Sequence, residues 1–544
     1  MTEAEFNRRI DEMVFWLMEQ QPVFATQMGL HTWDDRLGDY SLESLERQHE
    51  RIKSFLAEVG RIDPSGFSKD GQIDVVLVNQ LLKSFVRQYE VGEDHRRNPN
   101  LYLDGVMGGV FSLIMKDFAP LPERLRNAIA RTRQIPQLLS EGRTNLEPEK
   151  VPEVWAKVAL EQARMAPGLF QGLLPTMAAD WPEIREGLLE AGQAAAIACQ
   201  EFARYLEEEV LPVAKGEFAT GEGLFNELLR ENHMVDYDAT ELLATGWRLF
   251  QETRTQMEAL AREIHPNKTV PEILWQDRAD HPPAEGVLPA YREAMAATRQ
   301  FVVEHQIATI PEGERLSIIE TPMYMRPLLP YAAYMPPGIF EKELEGLFLV
   351  TPVDPAAPLE LQEQKLKGHF YAKLPVTTLH EGYPGHHLQL VWSVTRGSTA
   401  RKLGMALSTL FIEGWAFYCE ELMERLGYIA QPIQRLGRLA DQLWRAARII
   451  IDVSLHCRGM SIDEAVEFLV REVGLEPSNA LAEVRRYTFS PTQPQSYLMG
   501  KLEILKIVEE YRRRHPDTSL RQMHDAILAA GSLPPRLLRR QLLG

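Results

Sequence analysis

Cysteine is scarce in this chain. Its three cysteines, Cys199, Cys419 and Cys457, lie far apart and form no C-x-x-C pair. This scarcity argues against a disulfide framework and a cysteine-based zinc site, and it favours a reducing compartment. The first residues also lack the basic and apolar regions of a signal peptide, and there is no apolar run of about 18 residues. The expected location is therefore the cytoplasm, without membrane contact.

Positive charge is also in deficit. The sequence has 59 Lys and Arg against 77 Asp and Glu, a formal net charge of −18. Nucleic acids and anionic membranes are usually bound through basic patches, so neither is an expected partner. The glycines between residues 105 and 109 form no phosphate loop, because no Gly-Lys-Ser/Thr follows them. Together with Asn98-Pro99-Asn100 they are typical of a loop, either a lid or a plain connector.

Metal-ligand and acid/base side chains crowd into the eight residues HEGYPGHH at 380–387. A zinc hydrolase needs imidazoles to hold the ion and a carboxylate to take a proton from a water. In the usual H-E-x-x-H motif, a spacing of four places both histidines on one helix face. Here the second imidazole follows six or seven positions later, and an unbroken helix would place it about 9 to 10.5 Å further along its axis. That distance is too long for two ligands of one ion.

The stretch therefore indicates either a broken helix or a histidine-rich turn without a metal. Pro384-Gly385 supplies the break, since proline removes a backbone donor and glycine permits positive φ. A bulge of two residues restores the ordinary spacing to His386, which is the expected second ligand, with His387 as the alternative. Glu381 is the expected general base.

A second stretch supplies a candidate third ligand. Within residues 411–420, apolar residues recur at helical spacing, and Glu413 opens the implied helix. Catalytic zinc sites combine three protein ligands with one open position, so we expect Glu413 to join His380 and His386 around Zn²⁺. Glu420, two turns further on, would support a ligand or contact substrate. The alternative is that Glu413 only complements the positive helix N-terminus.

Three segments, residues 379–389, 413–420 and 491–500, resemble a known family. They look like the bacterial domain-of-unknown-function family 885, and the resemblance extends nearly end to end, from Pro22 to Pro534. That family is grouped with the gluzincin-like metallopeptidases. The resemblance implies a large, mostly α-helical fold similar to the thimet oligopeptidase and angiotensin-converting enzyme families. It also implies a central cleft that favours short peptides over folded proteins.

The sequence pattern changes near residue 310. Residues 1–310 are expected to be helical and to form one wall of the cleft, and residues 311–544 are expected to be the catalytic part. The histidines of the first part are expected to be surface or capping residues. After a first helix that Pro22 closes, the helical patterns run over 41–60, 70–91, 121–141, 153–173, 183–210, 237–263 and 288–305.

Short β-prone runs at 316–320, 331–334 and 346–353 predict a small sheet just before the metal-binding stretch. Such a sheet would present an edge to which an extended peptide adds a strand. Alternatively, it is a structural hairpin with both edges covered.

A long helix is predicted over Leu443–His456, with charged residues at steps of three or four. This stripe is either a solvated, salt-bridged face or a buried network that supports the site, in which His456 would approach the substrate. Its members are Asp441, Arg445, Arg448, Asp452 and His456.

A phenol hydroxyl is expected beside the ion, because peptide hydrolysis develops a tetrahedral oxyanion that such a donor stabilises. Peptidases similar to this family draw a tyrosine from downstream of the histidine motif. Tyr497 is the first candidate and Tyr487 the second, although either would also fit a core position. Arg485 or Arg486 would bind a substrate carboxylate or remain a surface charge.

Together these features predict a zinc-dependent hydrolase, most simply a peptidase that cleaves short peptides through a metal-activated water. Glu381, Tyr497 and His456 are its expected catalytic residues. Two alternatives stay open: a metal-dependent hydrolase of a non-peptide amide or ester, and a non-catalytic binding protein with the same fold. The sequence indicates neither the mode of cleavage nor the oligomeric state.

Overall fold

The computed structural model describes residues 1–322, 326, 329 and 331–544. Over this part of the chain the fold is mostly α-helical with one small sheet, as predicted. It divides into two compact units: Met1–Phe218 with Gly338–Glu341, and Ala219–Pro337 with Lys342–Gly544. No helix in the described residues is both long enough and apolar enough to cross a bilayer.

The first unit is built from helices. In chain order they are α1 (Glu3–Gln20), α2 (Pro22–Gln27), α3 (Leu42–Val59), α4 (Lys69–Arg87), α5 (Asp94–Arg97), α6 (Asn100–Ile114), α7 (Leu121–Asn145), α8 (Glu153–Gly168), α9 (Leu174–Met177) and α10 (Pro182–Tyr205).

The second unit continues the helical pattern and adds the strands. Its helices are α11 (Gly221–Glu231), α12 (Ala239–Ile264), α13 (Val270–Asp277), α14 (Val287–Glu304), α15 (Leu359–Leu366), α16 (Leu374–Glu381), α17 (His386–Arg396), α18 (Thr399–Lys402), α19 (Leu410–Arg425), α20 (Pro432–Cys457), α21 (Ile462–Phe468), α22 (Pro477–Phe489), α23 (Ser496–Arg514), α24 (Leu520–Ala529) and α25 (Pro535–Leu543). Its strands are β1 (Arg315–Glu320), β2 (Ala332–Met335) and β3 (Glu345–Val350).

The helical patterns predicted before residue 310 are confirmed. In α1, for example, Phe6, Ile10, Met13 and Val14 are each at most 2% exposed, as expected for one apolar face of a helix. Three predicted ranges end later than the observed α-helices α4, α8 and α10, because a π-helical turn continues each of these helices. These turns cover Gln88–Gly92, Leu169–Leu173 and Leu206–Val210.

Residues 100–109 form part of helix α6, so the predicted loop is wrong there. The glycines serve close packing instead of a turn. A Cβ at Gly109 would lie 2.3 Å from a Leu37 methyl carbon, and one at Gly105 would lie 3.1 Å from the Tyr40 hydroxyl. Glycine is favoured at both positions because a neighbouring side chain approaches the helix backbone closely.

The division between the units falls at Phe218, earlier than the predicted boundary at residue 310. The reason lies in helix packing. Helix α12 packs against α20, and α14 packs against α16, so both belong with the later part of the chain. Amphipathic periodicity is the same on both sides of this division, and it therefore carries no signal of where the division falls.

The predicted small sheet is confirmed, with the strand order β1-β3-β2. Strand β3 pairs in parallel with β1 and antiparallel with β2, so β2 lies at one edge of the sheet. Phe348 and Leu349 of β3 are buried.

Helices α19 and α23 cross at two glycines. A Cβ at Gly500 would lie 2.1 Å from the Leu410 carbonyl oxygen, and one at Gly414 would lie 2.3 Å from the Gly500 carbonyl carbon. Only glycine allows such an approach. The crossing holds Glu413 next to Gly414 on one helix and Tyr497 one turn before Gly500 on the other.

His49, His95 and His233 are buried, which corrects the expectation that the histidines of the first part are surface or capping residues. His233 is 5% exposed, and its two ring nitrogens lie 2.9 Å from Ser408 Oγ and 2.9 Å from Thr492 Oγ1. Burial penalises the imidazolium and lowers the pKa of His233 to about 4. Burial also lowers the pKa to about 4 at His369, His456 and His524.

Gly500→Ala should lower the free energy of unfolding by about 1–3 kcal/mol or more, since overpacking forces the two helices apart. The matched control is Gly437→Ala in α20, where an added Cβ meets nothing within 4 Å. The control should raise stability by about 0.5–1 kcal/mol, as alanine usually does inside a helix. Urea denaturation of the full chain measures both. Equal effects of the two substitutions would contradict the close crossing.

The free energy of unfolding should fall as the pH is lowered from about 6.5 to about 4. Across this window the unfolded chain protonates the four histidines and the folded chain does not, so the unfolded state binds more protons and acid favours it. Each pKa unit corresponds to about 1.36 kcal/mol. A pKa shift from 6.5 to about 4 therefore lets each histidine lower the free energy of unfolding by up to about 3 kcal/mol. Urea midpoints at several pH values measure the slope. His233→Gln should reduce it, and an unchanged slope in that variant would refute the assignment.

Candidate metal centre

The first two predicted ligands lie on separate helices. Helix α16 ends and α17 begins on either side of Pro384-Gly385, so the predicted break is confirmed. The Gly385 N–H donates to the Leu379 carbonyl at 3.0 Å, and a Cβ at Gly385 would lie 1.9 Å from the His380 carbonyl oxygen. Because the turn passes so close to the end of α16, glycine is required there.

Helix α19 fixes this turn from the side. The indole N–H of Trp415 donates to the Pro384 carbonyl at 2.8 Å, and the Cys419 thiol contacts the same oxygen at 3.7 Å. Both side chains are fully buried. Glu413 lies in the first turn of α19, so one helix both supplies the predicted carboxylate and holds the turn between the histidines.

His380, His386 and Glu413 converge. Each offers one ligand atom, and these three atoms lie within 4.8 Å of one another. His386 Nε2 is 3.4 Å from Glu413 Oε2. Two ligands that lie 2.0–2.1 Å from one tetrahedral ion are about 3.4 Å apart, so this pair already has the spacing of zinc ligands. To bring all three ligand atoms to this spacing, the most distant pair has to approach by about 1 Å, which side-chain rotation can supply.

Glu420 orients His380. Its Oε1 lies 2.7 Å from His380 Nδ1, and since a carboxylate only accepts, Nδ1 carries the proton and leaves the Nε2 lone pair for an ion. Burial alone would lower the pKa of His380, but the hydrogen bond to Glu420 and the charges of Glu381 and Glu420 outweigh burial and raise that pKa. Protons and an ion therefore compete for the same nitrogen.

Glu413 is ionised at neutral pH. Burial would raise the pKa of its carboxyl group, but the hydrogen bond with His386 and the charges of His386 and His380 outweigh burial and lower it. Two buried polar atoms beside this cluster have no partner in the described part of the chain: His386 Nδ1 and Glu420 Oε2. Such atoms fit a site that is completed by water.

His387 serves a separate network. Its Nε2–H donates to Glu314 at 2.8 Å, and its Nδ1 accepts from the Tyr334 hydroxyl at 3.1 Å. The Tyr383 hydroxyl also donates to Glu314, at 2.6 Å. Because both nitrogens of His387 are occupied and its side chain is fully buried, the geometry brings His386 to the cluster in its place.

Glu314, Tyr334 and Tyr383 were not among the predicted site residues. Burial would raise the pKa of Glu314, but hydrogen bonds from His387 and Tyr383 outweigh it and lower that pKa. A Cβ at Gly346 of β3 would lie 2.6 Å from His387 Nδ1, so the sheet packs beside residues 380–387, as predicted. No spacing rule connects Glu314 or Tyr334 to that stretch, and the sequence therefore carries no signal for them.

Glu381 is the last residue of α16. It is partly exposed and has no hydrogen-bond or ion-pair partner among the described residues. Its charge helps to raise the pKa of His380. After the larger effect of burial, it also helps to raise the pKa of Tyr334. A free carboxylate therefore lies close to both the cluster and strand β2.

Tyr497 is the more available of the two candidate phenols. It is partly exposed, its hydroxyl has no partner in the described ranges, and its ring lies 4.6 Å from the Arg448 guanidinium. Tyr487 is fully buried. The Tyr487 hydroxyl donates to Glu483 at 2.6 Å and accepts from Arg448 Nε at 3.0 Å, so it is already committed to a structural network.

His456 lies in the core of α20. It is 1% exposed, and its Nε2 lies 3.1 Å from the Tyr487 carbonyl oxygen. It does not belong to the three converging ligands, and its surroundings are those of a neutral structural histidine. Arg448 and Asp452 of the same stripe are also buried, so this part of the stripe is the buried network that was one of the two interpretations.

Two solved structures resemble this one. One is a putative lipoprotein of unknown function from Shewanella oneidensis, with a TM-score of 0.82, 24% identity and 100% of both chains covered. The other is a putative lipoprotein from Colwellia psychrerythraea, with a TM-score of 0.84 and 17% identity, covering 100% of this chain and 99% of that one. At these identities they show the fold alone.

No curated protein matches the chain. Residues 22–542 match a family described as bacterial protein of unknown function, DUF885. Because the match covers nearly the whole chain, the protein belongs to the DUF885 family.

Proposed function

We propose that the protein is a zinc-dependent hydrolase of short peptides, similar to the gluzincin-like metallopeptidases. The observation that carries the proposal is the convergence of His380, His386 and Glu413 beside the free carboxylate of Glu381. Two imidazoles and one ionised carboxylate are a donor set of catalytic zinc sites, and they leave a fourth position for water or substrate. The 3.4 Å spacing of His386 Nε2 and Glu413 Oε2 and the Glu420 contact fit the same interpretation.

Each of the named residues would have a separate task in hydrolysis. When bound, Zn²⁺ would polarise the scissile carbonyl and lower the pKa of a water. Glu381 takes the proton from the attacking water and passes it to the leaving nitrogen. The Tyr497 hydroxyl donates to the oxygen on which negative charge develops. Glu420 keeps His380 in the tautomer whose Nε2 is free.

The position of the sheet supports a peptide substrate. Strand β2 lies at an edge of the sheet, and the Tyr334 hydroxyl of β2 contacts His387, next to the candidate ligand His386, at 3.1 Å. An extended peptide that pairs with a sheet edge is held through its backbone, which suits an enzyme that cleaves backbone amides. We propose that the peptide lies along β2 with its scissile bond at Glu381.

A peptide library tests the proposed activity. The zinc-loaded full chain is incubated with the library and with a set of non-peptide amides and esters, each with and without a chelator. Products are identified by mass spectrometry. Chelator-sensitive cleavage of peptides is expected. Cleavage of the non-peptide substrates alone would replace the peptidase by another hydrolase, and no cleavage of either class would favour a binding protein.

Cytoplasm is the proposed location, since all three cysteines are free thiols in the structure. Cell fractionation tests this, and recovery of the native protein in a membrane or exported fraction would refute it.

Zinc content should distinguish the roles of the adjacent residues His386 and His387. His386→Ala should lose zinc at a concentration that saturates the unaltered protein, because the ion would lose one of three protein ligands. Glu413→Ala should do the same. The matched control His387→Ala should keep one zinc per chain while losing stability, since it removes a hydrogen-bond donor from the buried Glu314, at a cost of about 1–3 kcal/mol.

The measurement is zinc content after dialysis, together with a thermal melt of each variant. Loss of zinc in His387→Ala alone would show that the ligand assignment is wrong.

Glu381→Gln should abolish most of the activity while the zinc stays bound. The substitution keeps the shape of the side chain but removes the proton acceptor, and general-base assistance is worth about 10²–10⁴-fold, or roughly 3–5 kcal/mol of barrier. Turnover and zinc content are measured on one preparation with a peptide from the library. A variant with full zinc and nearly full turnover would eliminate Glu381 as the base.

A further inference from the structure

Two arginines of α20 have buried nitrogen atoms without a partner in the described part of the chain. Arg448 is 5% exposed, and its Nη1 has no partner. The Arg445 side chain is 14% exposed, and its Nε has no partner. An unpaired donor on a buried charged group is costly, so these atoms point to an anionic ligand.

The Arg448 guanidinium is held in a fixed plane. It lies over the rings of Trp444 and Tyr497, 4.5 and 4.6 Å from their centres. Its Nε donates to the Tyr487 hydroxyl at 3.0 Å, and its Nη2 donates to Glu483 at 3.0 Å. With one edge of the guanidinium occupied by these two bonds, Nη1 is the donor left for a ligand.

Arg445 shares the same aromatic rings. Its guanidinium lies 5.1 Å from the centre of Trp444 and 5.7 Å from that of Tyr497, and its Nη1 donates to Asp441 at 2.9 Å. The Tyr497 ring therefore contacts both guanidinium groups. A ligand bound by the two arginines would lie next to the phenol assigned to the oxyanion.

The local charge favours an anion. Arg448 and Arg486 share one carboxylate, Glu483, and Arg445 pairs with Asp441. Three guanidinium groups thus face two carboxylates, which leaves one net positive charge among these five groups. Nη1 and Nη2 of Arg486 donate to Gln493 and Glu483.

The two arginines also lie near the ligand cluster. The Arg445 guanidinium lies 5.6 Å from the centre of the Phe417 ring, and Phe417 is one turn after Glu413 on α19. An anion bound by them would sit close to the bond that is cut.

We propose that Arg445 and Arg448 bind the C-terminal carboxylate of the peptide substrate, so that the protein is an exopeptidase that acts at the C-terminus. This inference rests on the proposed function. Arg448 Nη1 and Arg445 Nε would each donate to the carboxylate, and the contacts of both guanidinium groups with Trp444 and Tyr497 hold these donors in place.

Binding without turnover tests the proposal. Isothermal titration uses the full chain carrying Glu381→Gln, with zinc and after chelation. The probes are N-acetyl-Ala-Ala, its C-terminal amide, and N-acetyl-Asp-Ala amide. The free acid should bind about 10- to 100-fold more tightly than its amide, the range expected for hydrogen bonds to a charged group. Equal binding of acid and amide would overturn the proposal.

Substitutions on the same background assign the effect to the arginines. Arg448→Met should reduce the affinity for the free acid to that for the amide, and Arg445→Met should reduce it in part. If Arg448→Met alone fails to fold because Glu483 loses this partner, the double variant Arg448→Met/Glu483→Gln replaces it. The control is Arg435→Met, on the same helix, whose guanidinium pairs with Glu424. It should leave both affinities unchanged, and a preference for the acid that survives Arg448→Met would overturn the proposal.

The aspartyl probe separates two sources of a carboxylate. If it binds as tightly as the free acid, the arginines recognise side-chain carboxylates, and the C-terminal assignment fails.

The failure of this proposal and that of the hydrolase are distinguishable. Arginine-dependent binding of the acid in a protein that cleaves nothing would retain the carboxylate site and refute the hydrolase. Cleavage at internal bonds only, with equal binding of acid and amide, would retain the hydrolase and refute the carboxylate site.

Discussion

The hydrogen bond from the Trp415 indole to the Pro384 carbonyl is the contact on which the geometry of the ligand cluster depends. Two histidines six residues apart reach one point only if the chain between them turns sharply, and the turn has to be held in one position relative to Glu413, the third candidate ligand. Helix α19 meets both requirements because it carries Glu413 and also anchors the turn. A rigid support of this kind is what keeps ligands within reach of one ion.

Two adjacent histidines have different roles because their surroundings differ. His386 lies against Glu413 and keeps one buried nitrogen unpaired, whereas His387 is fully occupied by Glu314 and Tyr334. A similar division applies to the tyrosines, since Tyr487 is bound to Glu483 and Arg448 while the Tyr497 hydroxyl has no partner in the described chain. In both pairs the hydrogen-bond partners, and not the residue type, decide which member is available for chemistry.

Close packing of helices α19 and α23 connects the cluster to the arginines of α20. The approach of Gly414 and Gly500 brings the helix of Glu413 against the helix of Tyr497, whose ring contacts Arg445 and Arg448. Interiors are packed too densely to absorb an extra methyl group at such a crossing. Stability and the arrangement of the candidate site therefore depend on the same contact.

Local patterns in the amino-acid sequence were enough to predict many of the helices, the small sheet, the break at Pro384-Gly385 and the candidate set His380, His386 and Glu413, because these follow from periodicity, backbone chemistry and ligand spacing. The same patterns pointed to a boundary at residue 310, whereas the units divide at Phe218, and to a loop at residues 100–109 that is a helix. Sequence periodicity does not show which helices pack together, and it does not identify glycines that allow two backbones or side chains to approach closely. The occupation of His387 by Glu314, the free donor of Arg448 and the burial of His456 emerged only from the folded chain. Those facts depend on residues far apart in the chain, whose contacts no local pattern encodes.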